Sequence, residues 1–418
     1  MKEMTTDTLV IGGGAAGMAA AVECAERGCR TILVEREEYI GGVLNQCIHN
    51  GFGLHVFKEE LTGPEYAQLF KSQIRQKGVE TRSDLFVVKV DAERREVVTM
   101  GKNGCAIYRP QALIMTTGAR ERPFNSLRIP GTRPAGIYTA GVAQRFVNLH
   151  NRLPGERAFV LGSGDIGLIM ARRLTLEGMT VLGVAELMPH PGGLARNISQ
   201  CLHDFNIPLY LSTSVVEVHG RERLEGITLA KFDPVTLQRL PGTEETVACD
   251  TLILSVGLLP QNELIESFVE TDPVNRGVKV DSFMRTTHPW VFAAGNNVGV
   301  YDLVDFVTLD GKIAGQSAAK MVHDGFLPEK RVPLARTENI STLIPSLCCL
   351  EGNPFTIYFR SKKTMKKARI SIGPGLFETI RMGIKPSEMV DIPFTVKHME
   401  KLKQLGLSKI EVSLKEVL

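Results

Sequence analysis

The chain has no cysteine pair in CxxC spacing, no marked excess of either charge and no low-complexity stretch. It also lacks the roughly 18 uninterrupted apolar residues that a membrane helix needs. Its eight cysteines stand at 24, 29, 47, 105, 201, 249, 348 and 349, a spacing that offers no zinc or iron–sulfur ligand set, so no metal is expected. The start, Met1 to Asp7, is polar, and the first apolar stretch runs straight into three glycines, which does not read as a signal peptide. A cytoplasmic location is therefore expected, with membrane association only through a partner, and a disulfide framework is not expected. A net charge of +3 gives no pointer to nucleic acid, and no such partner is expected. What the chain does have is length and glycine. Its 418 residues allow about two to three domains, and 43% apolar with 23% charged residues is ordinary globular usage. Its 40 glycines imply tight turns and close backbone approaches.

The glycines concentrate at one informative place. Residues 8–11, Thr-Leu-Val-Ile, read as a short buried strand. Gly12-Gly13-Gly14-Ala15-Ala16-Gly17 follows, then a helical run to Arg27 with Gly28 as its stop, then a second strand, 31–34, ending at Glu35. This is a dinucleotide fingerprint in its full context of strand, turn, helix, strand and acid. Gly12 permits the turn, Gly14 lets the backbone approach a pyrophosphate, and Gly17 lets helix and strand pack closely. The helix start supplies N–H groups and a positive dipole end, and Glu35 can accept both ribose hydroxyls. A purely structural glycine turn is the alternative.

The pattern recurs. Residues 157–161 form an apolar strand, followed by Gly162-Ser163-Gly164-Asp165-Ile166-Gly167, a helical run to Glu177, and a strand, 179–185, ending at Glu186. Two such units in one chain imply two dinucleotide folds. The second acid favours a free ribose 2′-hydroxyl, hence NAD over NADP, because Leu187, Met188 and Pro189 offer no arginine to a 2′-phosphate. A vestigial fold, or one that holds a structural adenine nucleotide, is the alternative.

The paired units resemble the two-dinucleotide-binding flavoproteins typified by glutathione-reductase-like pyridine nucleotide–disulfide oxidoreductases. The resemblance extends to Gly41-Gly42, to the strand 112–115 with Thr116, Thr117 and Gly118, to 252–257 with Pro260, and to Trp290-Val291-Phe292-Ala293-Ala294-Gly295-Asn296. It implies an α/β fold of two Rossmann-like domains, with the NAD domain inserted in the FAD domain, and a small C-terminal α+β domain beyond them. The expected boundaries are 1–125 and 256–330 for the FAD domain, 126–255 for the NAD(P) domain and 331–418 for the C-terminal domain. Further similarity in 47–53, 61–66, 118–123 and 137–141 is to FAD-dependent oxidoreductase components of heteromeric dehydrogenases. These include the flavoprotein subunits of opine oxidase, hydrogen cyanide synthase and heteromeric proline or sarcosine oxidases, and a flavoprotein associated with anaerobic glycerol-3-phosphate dehydrogenase. Partner subunits are implied, namely a second flavoprotein and a small cysteine-rich protein, and a homo-oligomer is left open.

The resemblance places FAD against Gly12, Gly14, Ala16, Gly17, Glu35, Arg36, Gly41, Gly42, Val87, Thr117, Gly118, Gly295, Asn296 and Val304. Val87 would offer backbone to the adenine. Asn296 stands where the family normally has an aspartate for the ribityl chain. Val304 would start a helix whose N–H faces the flavin pyrimidine edge. NAD is placed against Gly162, Gly164, Asp165, Ile166, Gly167, Glu186 and Gly257. The disulfide reductases of this class carry two cysteines near 44 and 49, where this chain has Leu44 and His49. Cys47 and His49 are thus candidates only, for thiol chemistry and for proton transfer, and a buried small hydrophobe and a structural histidine are the plainer readings. The expected activity is FAD-dependent and NAD(P)-linked. Three forms of it are open: a dehydrogenase subunit whose partner oxidises a small metabolite such as glycerol 3-phosphate, a self-sufficient NADH oxidase or single-cysteine peroxide or disulfide reductase using Cys47, and a non-catalytic scaffold.

Residues 331–418 read as strands at 356–360 and 368–372, turns at 373–375, a helix at 394–404 and a last strand at 411–414. They hold 15 Lys and Arg against 8 Asp and Glu, while the remainder holds 34 and 38. The cluster Lys362, Lys363, Lys366, Lys367 and Arg369 is a solvated turn or strand edge, a docking surface for an acidic partner, or a phosphate or nucleic-acid contact, the last without an aromatic platform beside it.

Overall fold

The computed structural model describes residues 2–325 and 327–417. The chain divides into two compact units, one of Met1–Ala119 with Leu259–Leu418 and one of Arg120–Leu258.

The first unit is built on a parallel sheet. The strand Lys2–Ile11 lies between Thr31–Val34 and Gly104–Met115, with Glu80–Arg82 beyond the one and Val291–Ala293 beside the other. A meander of Leu85–Asp91 and Glu96–Gly101 returns antiparallel onto the long strand Gly104–Met115. The apolar run at 9–11 and all four residues of Thr31–Val34 are buried, as strands covered on both faces require. The helix Ala15–Glu26 is alanine-rich for a packing reason. It lies against the helix Val304–Asp324 so closely that a Cβ on Gly311 would sit 2.3 Å from Ala16 O, and one on Gly315 would sit 2.4 Å from Ala20 O. A third helix, Gly63–Gln76, starts at a capping box in which the Glu65 carboxylate accepts the Thr62 N–H at 2.8 Å.

The second unit repeats the plan. Its five parallel strands run in the order Ile137–Thr139, Thr251–Leu254, Arg157–Leu161, Thr180–Ala185 and Leu209–Tyr210. An antiparallel trio, Thr213–Gly220, Leu224–Lys231 and Glu245–Val247, accompanies it.

Residues 331–417 form two small sheets and one helix within the first unit, with a hydrophobic core of their own around Ile357, Phe359, Ile370, Leu402 and Leu414. The strands are more numerous than the sequence suggests: Arg331–Arg336, Ile340–Ile344, Leu347–Cys349, Phe377–Ile384 and Met389–Phe394 join the expected ones. The expected helix at 394–404 is Val396–Leu405, and Phe394 instead ends a strand, buried against Phe355 at a ring separation of 5.3 Å. Arginines tie this region to carboxylates of the flanking first unit. Arg336 pairs with Asp272 at 2.6 Å, Arg331 lies 3.7 Å from the fully buried Asp281, and Arg360 pairs with Asp302. Part of the basic excess is therefore neutralised locally. In the cluster 362–369, Lys362, Lys363, Lys366 and Arg369 are exposed, with Arg369 lying 3.4 Å from Glu378.

Candidate functional site: two glycine turns

The first turn leaves the strand Lys2–Ile11 at Gly12, whose φ of +104° only glycine adopts readily. A Cβ there would lie 2.3 Å from Thr116 O, and a Cβ on Gly17 would lie 1.8 Å from Gly12 O. Thr116 locks the turn. Its Oγ1 donates toward Ile11 O and Gly12 O, both at 2.9 Å. Gly14 is different, since a Cβ on it would meet nothing within 4 Å. The helix that follows has no side-chain cap and no acid in its first turn. Its leading N–H groups thus keep their affinity for an anion. Gly41 and Gly42 close the cradle: Gly41 N–H donates to Gly13 O at 2.7 Å, and a Cβ on Gly42 would come 3.1 Å from Gly14 Cα.

Glu35 follows the second strand and is buried, accepting Gly13 N–H at 2.7 Å and Glu37 N–H at 2.9 Å. Arg36 beside it is exposed, 3.9 Å from Glu37. Ala16 is buried, its methyl near the space above Gly295. Val87 sends its side chain into the core on the strand Leu85–Asp91. Thr117 Oγ1 donates to Gln261 O at 2.6 Å, and Gly118, at φ +69°, faces open space. Gly295 has φ +81°, and Asn296 Oδ1 accepts Tyr301 N–H at 3.1 Å. Val304 begins the helix Val304–Asp324. In that helix's first turn, buried Asp305 accepts His55 N–H at 3.2 Å and Tyr66 Oη–H at 3.3 Å. An open glycine, an uncapped helix start and a buried carboxylate with spare acceptor capacity suit the pyrophosphate and ribose of FAD.

The second turn reproduces this backbone closely. Gly162 has φ +97°, and a Cβ there would lie 2.1 Å from Ser255 O, while a Cβ on Gly167 would lie 2.6 Å from Ser255 Cβ. Ser255 plays the part of Thr116, its Oγ accepting Gly167 N–H at 3.1 Å. Glu186 accepts Ser163 N–H at 3.0 Å, Ser163 Oγ–H at 2.6 Å and Met188 N–H at 3.0 Å. Asp165 turns away from the turn, its Oδ1 accepting Leu194 N–H at 2.8 Å and Asn197 Nδ2–H at 2.7 Å. Ile166 is half-buried, and Gly257, at φ +98°, faces open space. Gly192 and Gly193 were missed. They follow Glu186 at the same interval at which Gly41 and Gly42 follow Glu35, a signal the sequence did carry. A Cβ on Gly192 would lie 3.7 Å from Gly164 N.

Cys47 and His49 follow the first turn. The helix start at Gly63 presses on Cys47, since a Cβ on Gly63 would lie 2.9 Å from Cys47 Cβ. That burial pushes the Cys47 thiol up to about 12, so it is a thiol at neutral pH. His49 is half-buried, its ring 5.0 Å from that of Phe52. Cys348 and Cys349 are buried, and burial pushes the Cys348 thiol up to about 12. Among the described residues no group of three or more His, Cys, Asp or Glu side chains could hold a metal ion, and no helix is long and apolar enough to cross a membrane.

The family model described as pyridine nucleotide-disulphide oxidoreductase matches residues 6–311, which span both turns. The chain belongs to this family. Its members join FAD and a pyridine nucleotide in oxidoreductase chemistry, and the residues above fit both. The chain is 25% identical over 344 residues to hydrogen cyanide synthase subunit HcnB of Pseudomonas protegens, covering 75% of this chain and 70% of that one. It is also 25% identical to one subunit of the opine oxidase of Agrobacterium tumefaciens, covering 70% of this chain and 61% of that one. The same identity, 25%, holds with NADH dehydrogenase of Bacillus subtilis, covering 69% of this chain and about half, 53%, of that protein. Among solved structures, thioredoxin reductase of T. acidophilum matches with a TM-score of 0.62 at 24% identity, over 76% of this chain and 98% of that one. The fold is thus the two-Rossmann-domain fold of that structure.

Proposed function

We propose that the chain is the flavoprotein subunit of a multi-component dehydrogenase, passing reducing equivalents between NAD and a partner that oxidises a small metabolite, with glycerol 3-phosphate as one candidate. The observation that carries this reading is Cys47. The next cysteines in the chain are Cys29 and Cys105, and the Cys47 thiol is pushed up to about 12 by burial. A dithiol relay would need two sulfurs in this stretch and one of them as thiolate. Cys47 meets neither condition, which favours another carrier for the electrons.

FAD would supply the hydride and one-electron chemistry. The residues of the chain would hold it. Gly12 to Gly17 and Gly41-Gly42 would seat the pyrophosphate, Glu35 the adenosine ribose, and Asn296 the ribityl chain. The helix that begins at Val304 would direct its positive end toward charge developing on the flavin, moderated by Asp305. Gly162 to Gly167, Glu186 and Gly257 would hold NAD in preference to NADP. Both HcnB and the opine oxidase relative carry the name of a subunit, which supports an assembly with other chains. The basic surface 362–369 is the region we assign to an acidic partner.

Anaerobic mixing with NADH tests the reading: flavin absorbance should bleach, and little turnover should follow with oxygen, peroxide or a disulfide alone. Absence of bleaching would favour a scaffold role. Brisk turnover that Cys47→Ser abolishes would favour a self-sufficient thiol enzyme.

A further inference from the structure

The two turns differ at one position that faces the acid. In the first turn it is Gly13, which has only an N–H to offer, and Glu35 receives that N–H and one more from Glu37. In the second turn it is Ser163. Its N–H and its hydroxyl both reach Glu186 Oε2, at 3.0 and 2.6 Å, while Met188 N–H takes Oε1 at 3.0 Å. The direction of the hydroxyl proton is settled by its other neighbour. Gly192 N–H donates to Ser163 Oγ at 2.8 Å, and Glu186, as a carboxylate, can only accept.

A carboxylate offers about four lone-pair sites. Glu35 keeps about two for a ligand, one for each hydroxyl of a ribose, and Glu186 keeps about one. Bonds to an ionised acceptor are the strong kind. A ribose that approaches Glu186 must therefore displace the Ser163 hydroxyl or forgo one of its own bonds. Gly192 sharpens this, because it holds the hydroxyl in place and passes close to Gly164 N.

We propose that Ser163 sets the affinity of the second nucleotide site by competing with the ribose diol for Glu186. The first site, with glycine there, retains its dinucleotide, and the second lets its dinucleotide exchange, as a substrate must. The proposal rests on the reading of the second turn as the NAD site. Ser163 is a positioning residue that acts through Glu186, not a catalytic one.

The test is calorimetric titration of the FAD-loaded protein with NAD⁺ and with ADP-ribose. Ser163→Ala and Ser163→Gly should each bind both ligands about tenfold more tightly than the native chain, the equivalent of one charge-assisted hydrogen bond. Flavin content reports the fold of each variant. For NADH oxidation, KM should fall more than kcat changes. The gain should vanish with 2′-deoxy-ADP-ribose, which lacks one of the competing hydroxyls on the adenosine, and in a Glu186→Ala background. Two results overturn the proposal while leaving the site intact: both variants binding no more tightly than the native chain, or a gain that persists without Glu186. If the native chain retains FAD yet binds neither NAD⁺ nor ADP-ribose, the reading of the second site falls, and the proposal with it.

Discussion

The two glycine turns have one backbone and two settings. Ten of the twelve residues of the helix Ala15–Glu26 are buried, because the helix Val304–Asp324 roofs it, whereas five of the twelve are buried in the helix Asp165–Leu176. Glu35 is buried with two donors, and Glu186 is half-buried with three. Neither helix has a side-chain cap, but the first has no acid in its first turn, whereas Asp165 begins the second and tethers the segment 194–197. The lesson is that a nucleotide turn does not by itself specify how its ligand is held. The two turns differ in what roofs them and in how many donors their acids already accept.

Substitutions of matched residues should break the comparison most. Gly17→Ala places a methyl 1.8 Å from Gly12 O beneath the roofing helix, where nothing can yield. Overpacking of this kind costs about 1–3 kcal/mol and occasionally more, and we expect a chain that retains no flavin. Gly167→Ala meets Ser255 Cβ at 2.6 Å and should spare the flavin while weakening NAD binding. Flavin absorbance per chain and the thermal transitions of the two variants check both.

Removal of the acids should come next. Glu35→Ala should lower FAD affinity about 100-fold, and Glu186→Ala should lower NAD affinity about tenfold, because fewer ligand bonds depend on Glu186. Equal losses in the two titrations would mean that the donors around Glu186 are irrelevant.

A smaller difference is expected with pH. Burial raises Asp310 in the first unit to about 7, where it accepts a hydrogen bond from Tyr301. Between its ordinary value of 3.8 and about 7, the folded chain holds a proton that the unfolded chain releases. The first unit should therefore lose stability as pH rises through that window, and Asp310→Asn should flatten the slope. In the second unit, Asp250 is half-buried, which opposes its charge, yet bonds from Thr251, Glu156 and Arg157 hold it below the usual range. Its contribution should be lost instead as pH falls below the usual carboxylate value. Thermal unfolding from about pH 3 to 8, followed by separate probes in each unit, distinguishes the two. The smallest effect is assigned to Cys47→Ser. NADH-dependent flavin reduction should change by less than about twofold, since a thiol that stays protonated contributes packing alone.

Much of this was readable from residues. Both turns and both acids stand where the spacing puts them, because a glycine turn between strand and helix is a local demand on the backbone, and the helix start at Val304 stands where the resemblance put it. The pair Gly192-Gly193 was readable too, by its interval from Glu186, and was overlooked. The strand Phe377–Ile384 was not readable: it exposes Ile380 and Met382 at 47% and 72%, so its apolar residues do not mark a buried face. Nor were the arginine contacts of the C-terminal region, whose partners Asp272, Asp281 and Asp302 lie at least 50 residues away in the chain.

The sequence alone determined that the chain carries two dinucleotide turns on α/β units and only one cysteine between residues 30 and 104. Those are matters of local φ and ψ, of periodicity and of residue identity. Tertiary structure decided how many donors reach each carboxylate, which helix is roofed, and that the Cys47 thiol stays protonated. Those depend on through-space neighbours and on burial, and no interval along the chain encodes them.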